Sequence, residues 1–519
     1  MSLETNKKKY SRLLMVAIFA TGLSGIVAEY TLATLATYFL GDSVFQWTII
    51  LSIMLFAMGF GSRISKYIEK NILESFIAIE FLLSLLTAGC VLITYSTAAL
   101  TDYTNLIIYF FSILIGILIG MEIPLVTRIN NHYEDLKTNI SSVMEKDYYG
   151  SLIGGLFFAF IGLKYLHLTY TPFLMGGINF MVAIILYVKL KKLVKQEFIW
   201  KLTTFCSLTG VLLVAGLYFV EPIVIFGEQS RYEDKVVFSK QTKYQQITIT
   251  EWQNTYTLYL NNSKQLNTFD EWLYHEPLVH PAIGITNGPI DVLIMGAGDG
   301  CAIREALKHE RVNSITLVDL DPDMTDVGAN HPIFKELNHG AYQDPKVKVI
   351  NADAFNYLKD TRDMFDVMIV DFPDPRTVEL NRLYTKEFYR ICEKKLRPDG
   401  SIITQAGSPY YATRAFKTIE HTMKAAGFNT LPIHNQVLSL GQWGWILAHK
   451  KKNTAAIKES LWSMNLEGLD TKWLNDEALL HISSFGKDLI LLDSTDLSVN
   501  SIHNPVLYQY YEAGNWSIY

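Results

Sequence analysis

The chain has 519 residues, half of them hydrophobic, with a formal net charge of -6 and four cysteines. That length allows two or more domains, and the mild negative charge excludes nucleic acid as the main partner. Cys90, Cys206, Cys301 and Cys392 are far apart, with no C-x-x-C or His/Cys cluster, so no zinc site, other metal or disulfide framework is expected.

Up to about Val220 the chain is a series of long apolar segments. A helix needs about 20 residues to cross a bilayer. Seven stretches qualify, near 13–39, 47–64, 74–96, 105–126, 149–166, 171–188 and 202–220. Residues 1–220 are therefore expected to form an α-helical transmembrane bundle of about seven helices. Lys7, Lys8, Lys9 and Arg12 precede the first stretch, but no small-residue cleavage site follows it, so it reads as a retained helix rather than a signal peptide. Basic residues recur after the second stretch (Arg63, Lys66, Lys70), the fourth (Arg128, Lys137, Lys146) and the sixth (Lys189, Lys191, Lys192, Lys195, Lys201). The loops around Asp42, Asp102 and Lys164 are poor in them. The positive-inside rule then puts the N-terminus in the cytoplasm. Glu29, Glu80 and Glu122 lie within apolar stretches and Asp147 borders one. Ionisable groups are costly in lipid and face a bundle interior. With no basic partner and no pair of broken helices beside them, helix-to-helix hydrogen bonding is favoured over a path for a cation.

Residues 221–243 read as a linker. Between 244 and 268, Ile247-Thr248-Ile249-Thr250 and Tyr256-Thr257-Leu258-Tyr259-Leu260 alternate in polarity around Gln253-Asn254, which predicts a small antiparallel hairpin region. A helix follows, with Trp272, Leu273, Leu278 and Val279 on its apolar side. Strands are expected at 291–296, 314–320, 347–351, 365–371, 400–406 and 444–449, with helices between them, for example 384–396 and 411–426. Alternating β and α predicts a Rossmann-like, mostly parallel, doubly wound sheet over 244–450. Lys395 to Gly400 reads as a helix end and a turn into the next strand. Residues 451–519 form a less regular C-terminal extension. Its aromatic stretch from Asn504 to Tyr511 is placed to pack on the domain or cap its pocket.

Two acidic motifs follow strands. Gly296-Ala297-Gly298-Asp299-Gly300 can turn sharply and approach a ligand closely. It is neither G-x-G-x-x-G nor a P-loop, and Asp299 would repel phosphate while suiting an amine or sulfonium group. Asp319 ends the second strand, where an acidic residue can accept both hydroxyls of a ribose. Asn351-Ala352-Asp353-Ala354 ends the third, where a carboxylate can accept from an adenine amino group. Asp321 and Asp353 read equally as helix N-caps. Asp371-Phe372-Pro373-Asp374-Pro375 follows the fourth strand. Its prolines stiffen the loop and aim two carboxylates at one volume, one as general base on an ammonium group and the other as counter-ion. The bland alternative is a surface turn rich in Asp and Pro.

With these motifs in place, residues 244 to 449 resemble the spermidine synthase (polyamine aminopropyltransferase) family, and the whole layout resembles its membrane-bound bacterial branch. The matching elements are Tyr244-Gln245, Tyr274-His275-Glu276, Gly296 to Gly300, Val318 to Asp321, Asp353-Ala354, Asp371 to Pro375 and Leu383 to Tyr389. The resemblance implies transfer of an aminopropyl group from decarboxylated S-adenosylmethionine to an amine such as putrescine, giving spermidine and methylthioadenosine. It also implies that Gln245, His275, Asp299, Asp319, Asp353 and Ala354 hold the donor, that Asp371 is the proton acceptor, and that Tyr274 and Asp374 hold the amine. The donor is a co-substrate, so no cofactor is expected. The chain departs from the family in carrying Phe372-Pro373 between the two Asp residues, and in lacking a Tyr-Pro before the late Gly441-Gln442-Trp443. One wall of the amine pocket is therefore altered.

Two other function classes fit parts of the pattern: an S-adenosylmethionine-dependent methyltransferase, and a polyamine transporter or sensor with an enzyme-like domain. Methyl transfer does not call for the Asp371/Asp374 pair, and the intact motifs argue against a domain that has lost catalysis. The expected partners are the amine, the adenosyl donor and the lipid bilayer, and a homo-oligomer is allowed. The expected location is the cell membrane. Seven crossings from a cytoplasmic N-terminus would leave the catalytic domain outside, whereas an adenosyl donor is found inside. The substrate takes precedence here: the catalytic domain is expected in the cytoplasm, with the glycine-rich fifth stretch, Gly150 to Gly155, failing to cross fully.

Overall fold

A computed structural model describes residues 2–41, 43–101, 103–487 and 497–516. Asp42, Asp102 and parts of the C-terminal extension lie outside these. The chain divides into two compact units, Met1–Lys235 and Val236–Tyr519.

The first unit is all helix: α1 (Ser2–Leu40), α2 (Ser43–Ser65), α3 (Ile72–Ala98), α4 (Thr104–Asn130), α5 (Leu136–Phe157, continued by a π-helical segment Phe158–Leu166), α6 (His167–Leu190) and α7 (Gln196–Gln229). By length and composition, six helical runs can cross a membrane, and one of them is the 55-residue run Leu136–Leu190. That run is not straight. His167 adopts φ 54°, a left-handed value, and the chain reverses there. Two contacts establish the reversal. Thr171 Oγ1 donates to Gly162 O at 3.1 Å, across nine residues that a continuous helix would separate by about 13 Å. Ser151 donates to Gly22 O at 3.2 Å while Ser24 donates to Asn179 Oδ1 at 2.8 Å, so α5 and α6 meet α1 at the same level. The six runs thus supply the seven segments read from the sequence. The fifth is not cut short, since Gly150 packs on Phe19 and Gly155 on Tyr30. A Cβ at Gly150 or Gly154 would collide with the α1 backbone, which explains the glycines that made this stretch look weak. Inside the bundle Thr21 donates to Glu80 Oε1 at 3.2 Å, a link between α1 and α3. The far ends of α1 and α7 also meet, where Tyr38 donates to Glu228 and the Arg231 guanidinium lies 4.5 Å from the Tyr38 ring.

The second unit holds two sheets. Strands β1 (Lys235–Gln241), β2 (Gln246–Trp252), β3 (Thr255–Leu260) and β4 (Ser263–Asn267) form a four-stranded sheet in that order. The expected hairpin is β2–β3, turning through Gln253 and Asn254 at φ 47° and 66°. The larger sheet contains β5 (Ile290–Gly296), β6 (Val312–Asp319), β7 (Val347–Asn351), β8 (Phe365–Asp371), β9 (Leu396–Gln405), β10 (Asn429–Val437) and β11 (Gly441–His449), in the order β10-β11-β9-β8-β5-β6-β7. β9 through β7 run parallel, but β11 pairs antiparallel with both β9 and β10. The sheet is therefore mixed, with an antiparallel pair at one edge. β10 is absent from the sequence expectation because Pro432, His434, Asn435 and Gln436 mask its alternation, and Pro432 is tolerated because the strand is an edge. β9 starts at Leu396 rather than 400. Its register with β8 jumps from Phe365↔Leu396 to Val367↔Ser401, so the turn expected at 397–400 is a bulge within the strand.

The apolar runs of β5 and β8 are buried on both faces. That is the pattern of central strands covered by helices on each side. One core side gathers Ile294, Ile369 and Trp445 with Leu278 of the helix Trp272–Gly284; Ile457, Leu461 and Leu479 of the extension join it. The other gathers Met295, Val370, Phe388 and Phe416, with Leu507 and Tyr511.

Candidate active site

Registration of the central strands brings the two acidic motifs together. Gly296 pairs with Asp371 across β5 and β8, and Asp319 with Asn351 across β6 and β7. The carboxyl ends of these strands flank the point where strand order reverses around β5, the usual ligand crevice of such sheets. Gly296 has φ 80°, and a Cβ there would strike the Asp371 carbonyl, so only glycine lets the two strand ends lie side by side. A Cβ on Gly298 would lie 2.9 Å from Asp319 Oδ2, which shows how near the glycine turn comes to the second strand's acid.

His275, Asp299 and Asp371 offer ligand atoms within 4.8 Å of one another. His275 comes from the helix Trp272–Gly284, and its Nε2 is 3.8 Å from Asp299 Oδ1. Its Nδ1 is 2.8 Å from Glu271 Oε2, which also takes the Arg304 guanidinium at 2.9 Å. Burial opposes charge on His275, but the Glu271 hydrogen bond and the charge of Asp299 outweigh it and raise its pKa to about 9. Burial likewise opposes charge on Glu271, yet the bonds from His275 and Arg304 hold its carboxyl down at about 2. Glu271, His275 and Cys301 also cluster, but Arg304 already supplies the cation on that carboxylate, and burial pushes the Cys301 thiol well above its usual range. Neither Glu271 nor Arg304 stands out in the sequence. An acid one turn before a histidine is too common to single out.

Asp371 accepts from the Tyr274 hydroxyl at 2.6 Å. Burial raises its pKa to about 6, although the His275 charge and the Tyr274 bond pull the other way. Burial also lifts Asp319, to about 7, against the N–H of Asp321 on its Oδ1 at 2.8 Å. Asp374 is raised by burial and partly restored by Arg376 and Tyr511. The Tyr511 hydroxyl reaches Asp374 Oδ2 at 2.5 Å, Arg376 lies 3.5 Å from the same oxygen, and Gln405 Nε2 is 3.4 Å from Oδ1. The loop owes its shape to more than its prolines. Tyr384 donates to both Phe372 O and Pro373 O at 3.1 Å, and Gln405 Nε2 donates to Phe372 O at 2.8 Å. Tyr384 lies in the Leu383-to-Tyr389 element. Gln405, ending β9, and Arg376 carried no signal of their own, whereas Tyr511 falls in the aromatic stretch singled out above.

Two sequence-derived site residues are bonded to partners outside this cluster. Gln245 Nε2 donates to Asp321 Oδ2 at 3.0 Å, where Thr242 also donates at 2.7 Å. Asp353 caps the helix Ala354–Asp360 by accepting from Asn356 N at 2.9 Å, and it pairs with Arg382 at 2.5 Å. Ala354 is the first residue of that helix. Asp321 caps its helix as well, accepting from Asp323 N at 3.1 Å.

A model of the spermine/spermidine synthase domain matches residues 271–460. Polyamine aminopropyltransferase 2 of Aquifex aeolicus is 40% identical over 507 residues, covering 96% of this chain and 98% of that protein. The polyamine aminopropyltransferase of Oceanobacillus iheyensis is 36% identical over 501 residues, covering 96% of each chain. That of Leptospira interrogans is 35% identical over 499 residues, covering 96% of this chain and 98% of its own. The similarity takes in the helical unit as well as the α/β unit, and the chain belongs to the polyamine aminopropyltransferase family.

Proposed function

We propose that the chain transfers the aminopropyl group of decarboxylated S-adenosylmethionine to an amine such as putrescine, with Asp371 as the base. The observation that carries this reading is the convergence of His275, Asp299 and Asp371 within 4.8 Å, beside a second carboxylate, Asp374, on the same loop. In this reading Asp319 accepts the ribose hydroxyls, Asp353 and Ala354 face the adenine, and His275 holds Asp299 against the donor's amino group. Gln245 acts through Asp321. A donor that kept its carboxylate would meet the negative charge of Asp299, which favours the decarboxylated form. Methyl transfer and transport draw no support from the relatives, all three of which are named for aminopropyl transfer.

An alkylammonium group has a pKa near ~10.4, so the acceptor arrives protonated. Asp371 takes one proton and frees the nitrogen lone pair. That nitrogen forms a bond to the aminopropyl carbon beside the sulfonium, and the C–S bond breaks. The sulfur keeps the electron pair and leaves as methylthioadenosine, while the product is a secondary ammonium. Tyr274, bonded to Asp371, and Asp374 hold the amine in line, and that positioning supplies much of the rate.

In the same reading the catalytic domain runs to 450 and 451–519 form an extension; the linker expected at 221–243 shrinks to 230–234, because α7 continues to Gln229 and β1 (Lys235–Gln241) already belongs to the four-stranded sheet. The helical region is a multi-pass anchor in the cell membrane, supported by the length and apolar composition of its helices. The catalytic domain faces the cytoplasm, supported by where the donor is found. The test is product analysis with the purified full chain, the decarboxylated donor and a panel of amines. Release of methylthioadenosine with none of them overturns the reading.

A further inference from the structure

The two carboxylates of the acceptor side are not equivalent. Asp371 has one hydroxyl on one oxygen. Asp374 has Tyr511 on Oδ2, Gln405 near Oδ1 and the Arg376 guanidinium 3.5 Å away. Its charge is balanced before any amine arrives. Tyr511 comes from the extension, more than a hundred residues further along the chain, and it is held firmly. It is 2% exposed, its ring lies 4.6 Å from Trp516, and Trp516 Nε1 donates to its carbonyl at 2.7 Å. Asn515 N is bonded to Tyr411 O at 2.7 Å, and the Arg376 guanidinium lies 5.6 Å from the Tyr511 ring.

We propose that Tyr511 and Arg376 are specificity-determining residues that select the acceptor amine. The proposal rests on the assignment of Asp371 and Asp374 to the acceptor side. Tyr511 closes the subsite beyond Asp374 and limits the length of the amine. Arg376 offsets the attraction of Asp374 for a second positive charge, so the subsite discriminates only weakly between a diamine and a monoamine of equal length. Arg376 is half-exposed and can be removed without opening the core, whereas Tyr511 is a fixed part of the wall.

The test measures kcat and KM on the full chain in detergent for putrescine, butylamine and spermidine as acceptors. Arg376→Met is expected to raise the putrescine-to-butylamine ratio of kcat/KM about tenfold, because a like charge has been removed from the subsite. Tyr511→Ala is expected to raise the spermidine-to-putrescine ratio about tenfold, on the scale of a reshaped pocket. The KM for the donor stays within twofold in both. Methylthioadenosine binding reports folding, and Tyr511→Phe, which keeps the ring, serves as the second variant: it lowers the acceptor KM while leaving the length preference as in the unmodified chain. Ratios that stay within twofold in Arg376→Met and Tyr511→Ala overturn the proposal. Asp371→Asn, run alongside, separates the two levels. If it retains turnover, the site assignment fails. If it is inactive while the ratios do not move, only the selectivity role fails.

Discussion

Asp371 is half-buried next to a cation, His275, and a hydrogen-bond donor, Tyr274, and desolvation prevails, so its pKa stands at about 6. A base must be deprotonated to act. Activity is therefore full above that value and falls as pH drops through it, and the acid limb of a kcat/KM profile measured from pH 5 to 9 should have its midpoint near 6. Tyr274→Phe removes a bond that favours the carboxylate, so the same limb should move to higher pH. A limb that stays in place would mean that Tyr274 does not act on Asp371. Asp371→Asn should lower kcat by about 10²- to 10⁴-fold, the usual worth of a general base, while methylthioadenosine binding measured by calorimetry is retained. Near-normal turnover would remove Asp371 from the base role.

Most of what the sequence made legible concerns elements rather than partners. The motifs after β5, β6 and β8 could be read because each sits at the end of an apolar run, and parallel pairing then forces their carboxylates together. β10 could not, because its polar residues His434 and Asn435 are buried and hydrogen-bonded rather than exposed, so no alternation shows, and an edge strand tolerates its proline. The caps at Asp321 and Asp353 were visible as an even alternative, since a cap and a ligand acceptor use the same side chain at the same position. What was not legible is contact over long sequence separation: Tyr511 on Asp374, Arg304 on Glu271, Gln405 on the Phe372 carbonyl. Nothing local marks such pairs. The same holds for Glu276, whose carboxylate takes the backbone N–H groups of Lys472, Trp473 and Leu474 at 2.6, 3.0 and 2.8 Å. This tie fastens the extension to the helix that carries Tyr274 and His275. Glu276→Ala should lower unfolding stability by about 3 kcal/mol, since bonds to a charged group are worth more than neutral ones and three donors lose their acceptor. Denaturant titration of the purified chain checks this, and a loss below 0.5 kcal/mol would show the tie to be incidental.

At the scale of the whole molecule, the acidic site and both of its core clusters lie within Val236–Tyr519. Residues 228–519 made alone should therefore fold and retain transfer activity in a methylthioadenosine release assay. Folded but inactive protein would mean that the helical unit contributes to the site or to substrate delivery. The helical unit itself turns on one residue. Because the chain reverses at His167, α7 finishes beside the far end of α1, at Tyr38, and not beside its start. If all seven helices cross, the number of passes is odd, and an odd number fixes a parity: the first turn of α1 and the residues just after α7 then open onto opposite faces of the bilayer. Tyr10→Cys and Ser230→Cys, probed with an impermeant thiol reagent on sealed vesicles, should never label from the same face. If the catalytic unit is cytoplasmic, the lysines at the start of the chain are not, and this would be a membrane protein that inverts the usual charge bias of its loops. In a chain whose seven helices all cross, a single backbone angle near 54° would thus decide on which side of a cell it meets its substrates.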